Sequence, residues 1–308
     1  PPPPGRRRST AMWTLAACAT LYATFACGIV TWWLSGCALT FPPVSDFGLS
    51  GDGAPTVFQV GLTVAGVQIV VAQLRTHAAR RALLRFAGGD LGHRAANHLS
   101  GALGVLNGVA LVGVGWAPWH SHIYSHIISA VTIFVTAFPA ALASDVVLRR
   151  VGRVSGLTES SSWRARRRAH KFVLVVMAIG AALLFGAGDM QRRQLGWWKG
   201  VPRMMEVYNR DFADGRDTTA AAVQAHCETP WATPSSVIFL GEWVYVLSLV
   251  LALGISYADV LLHEKAEAKG LLATRRSQSQ NGRAARPPPS QASRRSPRRA
   301  RRSASPRR

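Results

Sequence analysis

Long apolar blocks, almost free of charge, alternate along this chain with short segments rich in arginine. A bilayer core about 30 Å thick needs about 20 apolar residues per helix, and several of the blocks reach that length. Lipid offers the backbone no hydrogen-bond partner, so each block has to form a helix. The pattern therefore predicts an all-α fold, a polytopic six-helix transmembrane bundle.

Composition alone does not give this result. The 308 residues are 48% hydrophobic and carry a net charge of +21, which a basic soluble protein would also show. The first block is too long for a signal peptide and ends in Trp32 and Trp33, not at a small-residue cleavage site. We predict a cytosolic segment 1–11, a membrane domain 12–262 and a tail 263–308. The predicted helices are about 12–34, 56–74, 96–116, 123–147, 172–188 and 235–262.

The arginines predict the orientation, because basic residues in short loops stay on the cytosolic side. They cluster before the first block, after the second, after the fourth and after the sixth, so the N- and C-termini are both predicted to be cytosolic. Most tryptophans fall at the other membrane surface, as expected for residues of the interface. The basic residues predicted to contact lipid headgroups are Arg149, Arg150, Arg166, Arg167 and Arg168.

The four cysteines divide by this topology. Cys18 and Cys27 lie within the first helix, where they serve as small apolar residues. Cys37 and Cys227 lie in two predicted outer loops, where an oxidising compartment permits a disulfide. A disulfide and two free thiols are both compatible with the sequence.

The tail after Gly270 carries many arginines and no acid, and a composition of this kind predicts disorder. It can act as a topology signal that touches anionic lipid, or bind a protein partner. Ser296 and Ser305 each precede a proline, so phosphorylation is a second reading, as an electrostatic switch. Six membrane helices argue against a nucleic-acid partner.

No soluble-enzyme motif occurs in the sequence, so attention falls on ionisable groups at membrane depth. Asp46, His126 and Glu242 are predicted to lie at similar depth near the outer face, where they form a candidate lipid-facing site. The alternative is that each simply pairs with a structural neighbour. Asp145 is predicted to pair with Arg149 at the cytosolic ends of the helices.

His120, His122 and His126 could suggest a metal site, since His122 and His126 are one helical turn apart. The site is disfavoured, because His120 and His122 fall in the interfacial loop and no third ligand of the right type is predicted nearby. We predict no metal and no cofactor.

Residues 41–66, FPPVSDFGLSGDGAPTVFQVGLTVAG, resemble the P-x-I-S-D-x-G segment of the DRAM/Frag/Sfk family, which includes the amino-terminal domain of Cwh proteins. His126, Ser129, Ala130 and Phe134 resemble its fourth helix, and Glu242, Trp243 and Asp259 its last. The resemblance runs from about Thr14 to Leu262. Phe47 departs from the family's usual Thr, Gly241 stands where some members have Cys, and the basic tail lies outside the pattern.

The resemblance implies one of three roles: autophagy modulation in endosomes and lysosomes, recruitment of phosphoinositide kinase at the plasma membrane, or GPI-anchor lipid remodelling in the Golgi. The first two are non-enzymatic. We favour a non-enzymatic membrane organiser or adaptor of the endomembrane system, with membrane lipids, including phosphoinositides, as partners. Lipid remodelling, with His126 as general base, is the alternative. A transporter is the third possibility, but the sequence shows no inverted repeat.

Overall fold

The computed structural model describes residues 5–35, 42, 44–48, 54–86, 88–154, 161–195 and 239–255. Over these residues the chain forms six α-helices and one short 3₁₀ helix, Val44–Gly48. No β-strand occurs in the described ranges. The α-helices are α1 Gly5–Leu34, α2 Ala54–Phe86, α3 Leu91–Trp116, α4 Trp119–Val154, α5 Ser161–Leu195 and α6 Phe239–Ile255.

The first five helices are long and apolar enough to cross a bilayer. Between 22% and 33% of the residues in their most apolar windows are buried, so most of each span faces outward. The outward face is itself apolar and includes Val64 and Val67 on α2 and Val131 and Val135 on α4. A soluble protein would not expose such stripes, whereas lipid solvates them. The fold is that of a polytopic helical membrane protein.

Close backbone packing joins α2 to α3. A Cβ added to Gly66 would lie 2.6 Å from the carbonyl oxygen of Gly108, and one added to Gly108 would lie 2.8 Å from that of Gly66. In lipid there is no hydrophobic driving force between helices. They associate through close van der Waals packing, which small residues allow. Gly104 precedes Gly108 by one turn and faces Gln73 of α2. The GxxxG spacing of α3 thus forms the contact surface with α2.

Polar contacts fix the α2–α3 turn. Asp90 caps α3 by accepting from the backbone N–H of His93 at 3.0 Å. That hydrogen bond, together with the contact to the His93 ring, holds the pKa of Asp90 below its ordinary value. One turn further on, Asn97 and His77 exchange side-chain contacts with each other's carbonyl oxygens, at 3.1 and 3.2 Å. These bonds set the register of the two helices.

Hydrogen bonds join α3 and α6 to α4, and a close backbone approach joins α5 to α6. Asn107 of α3 donates to the carbonyl of Ile133 at 3.1 Å and to Thr136 at 3.2 Å. Tyr245 of α6 donates to the carbonyl of Phe134 at 2.6 Å, which ties α6 to α4. Gly180 of α5 meets α6 closely, since a Cβ there would lie 2.7 Å from the backbone nitrogen of Tyr245. Glycines and polar groups thus fix these helix contacts beside the buried apolar core.

The first five helices all extend beyond the segments predicted from hydropathy. Helix α2 continues to Phe86 and so includes Arg80, which the sequence placed in a loop. Helix α4 continues to Val154, and α5 begins at Ser161, before the arginine run at 164–168. These arginines thus lie on helices, which gives them fixed positions at one end of the bundle. We call this the arginine end. The opposite end, which carries the 3₁₀ helix, is the Asp46 end.

Candidate functional site

The 3₁₀ helix is folded into the Asp46 end of the bundle, and all five of its residues are buried. Phe47 is fully buried and packs edge-on against Trp243 at 5.6 Å and Phe58 at 6.3 Å between ring centroids. Gly28 of α1 makes room for it, because a Cβ there would overlap the Phe47 ring. We call this element the plug helix. Phe47, the departure from the family pattern, is its main packing residue.

Two indole hydrogen bonds hold the plug helix in place. Trp119 Nε1 donates to Asp46 Oδ1 at 3.0 Å, and Trp243 Nε1 donates to the carbonyl oxygen of Pro42 at 2.8 Å. Both bonds are buried. A buried carboxylate is tolerated only with such donors. Asp46 therefore has a structural role in fixing the loop between α1 and α2.

Glu242 lies beside the plug helix, and His126 lines the same cavity. His126 is buried, and its Nδ1 lies 2.8 Å from the carbonyl oxygen of Ala117. The Glu242 carboxylate accepts from the backbone N–H of Val44 and lies close enough to Asp46 for their charges to interact. The structure thus brings Asp46 and Glu242 together, and it places His126 and Glu242 on the wall of one cavity.

This cavity, of about 150 Å³, runs between the helices. Phe58 and Arg80 of α2 both line it, and they are about 33 Å apart along the helix axis at about 1.5 Å per residue. Such a length matches the thickness of a bilayer core. Because this small volume extends over such a length, the cavity is narrow. Its middle is mainly apolar, with Leu62, Ile69 and Ile133 on its wall.

The two ends of the cavity are polar. Ser45, His126 and Glu242 line it at the Asp46 end. At the arginine end its wall includes Arg80, Ser100, Ser144 and His170. Arg80 is 5% exposed and donates to Ser100 Oγ at 3.4 Å. The lining is thus mainly apolar in the middle and polar at both ends.

The arginines predicted to contact headgroups have different surroundings. Arg149 pairs with Asp145, as expected from the sequence. Arg150 donates to the carbonyl oxygen of Gly88 at 3.1 Å, and the Arg166 guanidinium stacks over Trp163 at 4.8 Å. Arg167 and Arg168 are exposed. These two have the exposure that a contact to lipid headgroups requires.

Other predicted features are only partly described. Cys37 and Cys227 lie outside the described residues, as do Asp259 and the tail. Cys18 is buried and its thiol lies 3.7 Å from the carbonyl oxygen of Val250, while Cys27 is exposed. His122 is exposed at a break in α4, with φ −134° and ψ 50°, whereas His126 is buried. Within the described ranges, no group of three metal-ligating side chains occurs.

Sequence reasoning missed Arg80, His170 and Asn107 as wall residues of the cavity. Arg80 was assigned to a loop because it follows Arg75 by little more than one turn. The signal that it is helical is the run of apolar residues continuing between the arginines to Leu84. Nothing in the sequence indicates which of these arginines points inward.

The chain is thus a polytopic membrane protein with a narrow internal cavity that is polar at both ends. It belongs to the family described as the Frag1/DRAM/Sfk1/Cwh43P N-terminal domain, whose model matches residues 9–261. No curated protein and no solved structure gives a significant match to the chain. The family match confirms the resemblance seen in the sequence.

Proposed function

We propose that this protein is a lipid-binding membrane organiser or adaptor of the endomembrane system, which holds a hydrocarbon chain in its internal cavity. The cavity carries the proposal. Its mainly apolar middle offers few hydrogen bonds to an aqueous solute, and its length corresponds to the thickness of the bilayer core. A hydrocarbon chain is the ligand whose chemistry fits this lining best.

The arginine end gives the organiser its second surface. We infer that it faces the cytosol, because basic residues accumulate on that side of membranes. Exposed Arg167 and Arg168 then lie where anionic lipids attract basic groups, at about 1 kcal/mol per residue near the surface. An adaptor in phosphoinositide regulation or autophagy modulation would use such a surface to contact lipid or an acidic partner.

The alternative is a role in remodelling the lipid of GPI anchors. It is favoured by one observation: His126 and Glu242 share the cavity wall, with Asp46 beside Glu242. An imidazole and a carboxylate on the wall of one cavity have the composition of a general acid–base site. In this alternative the Asp46 end faces the lumen, where the site meets the outer leaflet.

The two functions make different predictions for cells that lack the endogenous protein. We compare an Arg167→Gln, Arg168→Gln double variant with His126→Ala and Glu242→Gln. The organiser predicts that the arginine variant redistributes phosphoinositide or mislocalises the protein, while His126→Ala and Glu242→Gln leave surface GPI-anchored proteins unchanged. Remodelling predicts the reverse, with GPI-anchored proteins lost from the surface. Arg153→Gln, an exposed neighbour at the same end, is the charge control.

A further inference from the structure

Arginine is rarely buried at the end of a membrane helix without a function, because the cost of desolvating its charge is high. Arg80 is 5% exposed and lies on the cavity wall beside Ser100, which is 4% exposed. The guanidinium has five N–H donors in a planar fork. One of them donates to the Ser100 hydroxyl at 3.4 Å.

More cations gather around Arg80. The charges of Arg80 and Asp145 act on Arg166. The charges of Arg80, Arg149 and Arg166 act on His170. Among the described residues, Asp145 is the one carboxylate in this group, and it already pairs with Arg149. The surroundings of Arg80 are thus rich in basic side chains, which favours an anion.

The surroundings of His170 indicate the position of that anion. It is 7% exposed and lines the cavity, and its Nδ1 has no hydrogen bond in the structure. The nearest carboxylate oxygen, Asp145 Oδ1, is 3.6 Å away, too far for a good hydrogen bond. A buried polar atom of this kind is costly unless a ligand satisfies it. The imidazole thus adds a hydrogen-bonding group to the arginine side of the wall.

We propose that Arg80, Ser100 and His170 form a binding site for the phosphate group of an anionic phospholipid whose hydrocarbon chain enters the cavity. This inference rests on the proposed lipid-binding function and adds the headgroup. Guanidinium groups bind phosphate oxygens in pairs, and serine hydroxyls add neutral donors. The apolar wall that begins next to the site selects a lipid over free phosphate. The narrow cavity favours a compact headgroup, so phosphatidic acid is the appropriate probe.

The test is a binding titration of the purified full chain in neutral detergent, with lipid adducts counted by native mass spectrometry. The wild-type protein is expected to bind phosphatidic acid at least about tenfold more tightly than phosphatidylcholine, since one charged hydrogen bond is worth about that factor. Arg80→Met, which keeps length and removes charge, is expected to abolish the preference. Arg153→Met, an exposed arginine at the same end of the bundle, is expected to keep it.

Should Arg80→Met not fold, His170→Gln keeps a polar side chain at the same wall and is expected to reduce the preference. An unchanged preference in a folded Arg80→Met or His170→Gln protein would overturn the site. Equal competition by inorganic phosphate would show a free-anion site and overturn the lipid assignment. If the wild type binds both lipids equally, only this inference falls. If it retains no lipid at all, the proposed function falls with it.

Discussion

Phe47→Ala is expected to destabilise the membrane domain by about 3–5 kcal/mol, the usual cost of removing a fully buried phenylalanine. The ring fills the space between Trp243, Phe58 and Gly28. Two buried indole hydrogen bonds hold the plug helix, which limits collapse into the gap. The measurement is thermal unfolding of purified variants in detergent.

Phe172→Ala is the matched control for this change. Its side chain is 64% exposed on α5, so the same atoms are removed from a lipid-facing surface. We expect that variant to unfold close to the wild-type temperature. Equal loss of stability in the two variants would mean that the buried Phe47 ring stabilises the bundle no more than a lipid-facing phenylalanine does.

Gly108→Leu is expected to prevent correct packing of α2 on α3. Even a Cβ at this position would lie 2.8 Å from a backbone carbonyl oxygen, and backbone cannot move aside as a side chain can. Overpacking by one or two methylenes already costs about 1–3 kcal/mol, so leucine is expected to exceed that range. The readout is the yield of monodisperse protein after extraction.

Gly186→Leu provides the comparison, because nothing lies within 4 Å of a Cβ at that position. It is expected to give normal yield. Gly108→Ala should fall between the two, with a lowered unfolding temperature. A normal yield for Gly108→Leu would show that α2 and α3 pack less closely than described here.

Hydropathy located the helices because lipid imposes one strong rule on the backbone. The end of α3 at Trp116 matches its prediction, since an interfacial tryptophan and the following proline segment mark it clearly. The ends of α2 and α4 were placed too early. Arginine stops the hydropathy signal but does not stop a helix, because it has good helix propensity and its long stem reaches the interface.

The site was harder to predict from the sequence. Asp46 and Glu242 were grouped by depth alone, and the structure does bring them together. The main partner of Asp46 is Trp119 at the start of α4, and that of Glu242 is the backbone of Val44 in the plug helix. The placement of both elements depends on long-range packing. Arg80 was missed because a single-sequence pattern does not reveal which arginine of a basic segment turns inward.

The central claim is that the internal cavity holds a lipid chain, and one comparison tests it most directly. Ala141 of α4 lines the cavity, whereas the adjacent Leu142 is 44% exposed on the outer face. Lipid that stays bound through purification is counted by native mass spectrometry for wild type, Ala141→Phe and Leu142→Phe. We predict a retained lipid in wild type and Leu142→Phe and its loss in Ala141→Phe, which fills the cavity. Equal retention in all three proteins, or none in the wild type, would contradict the account.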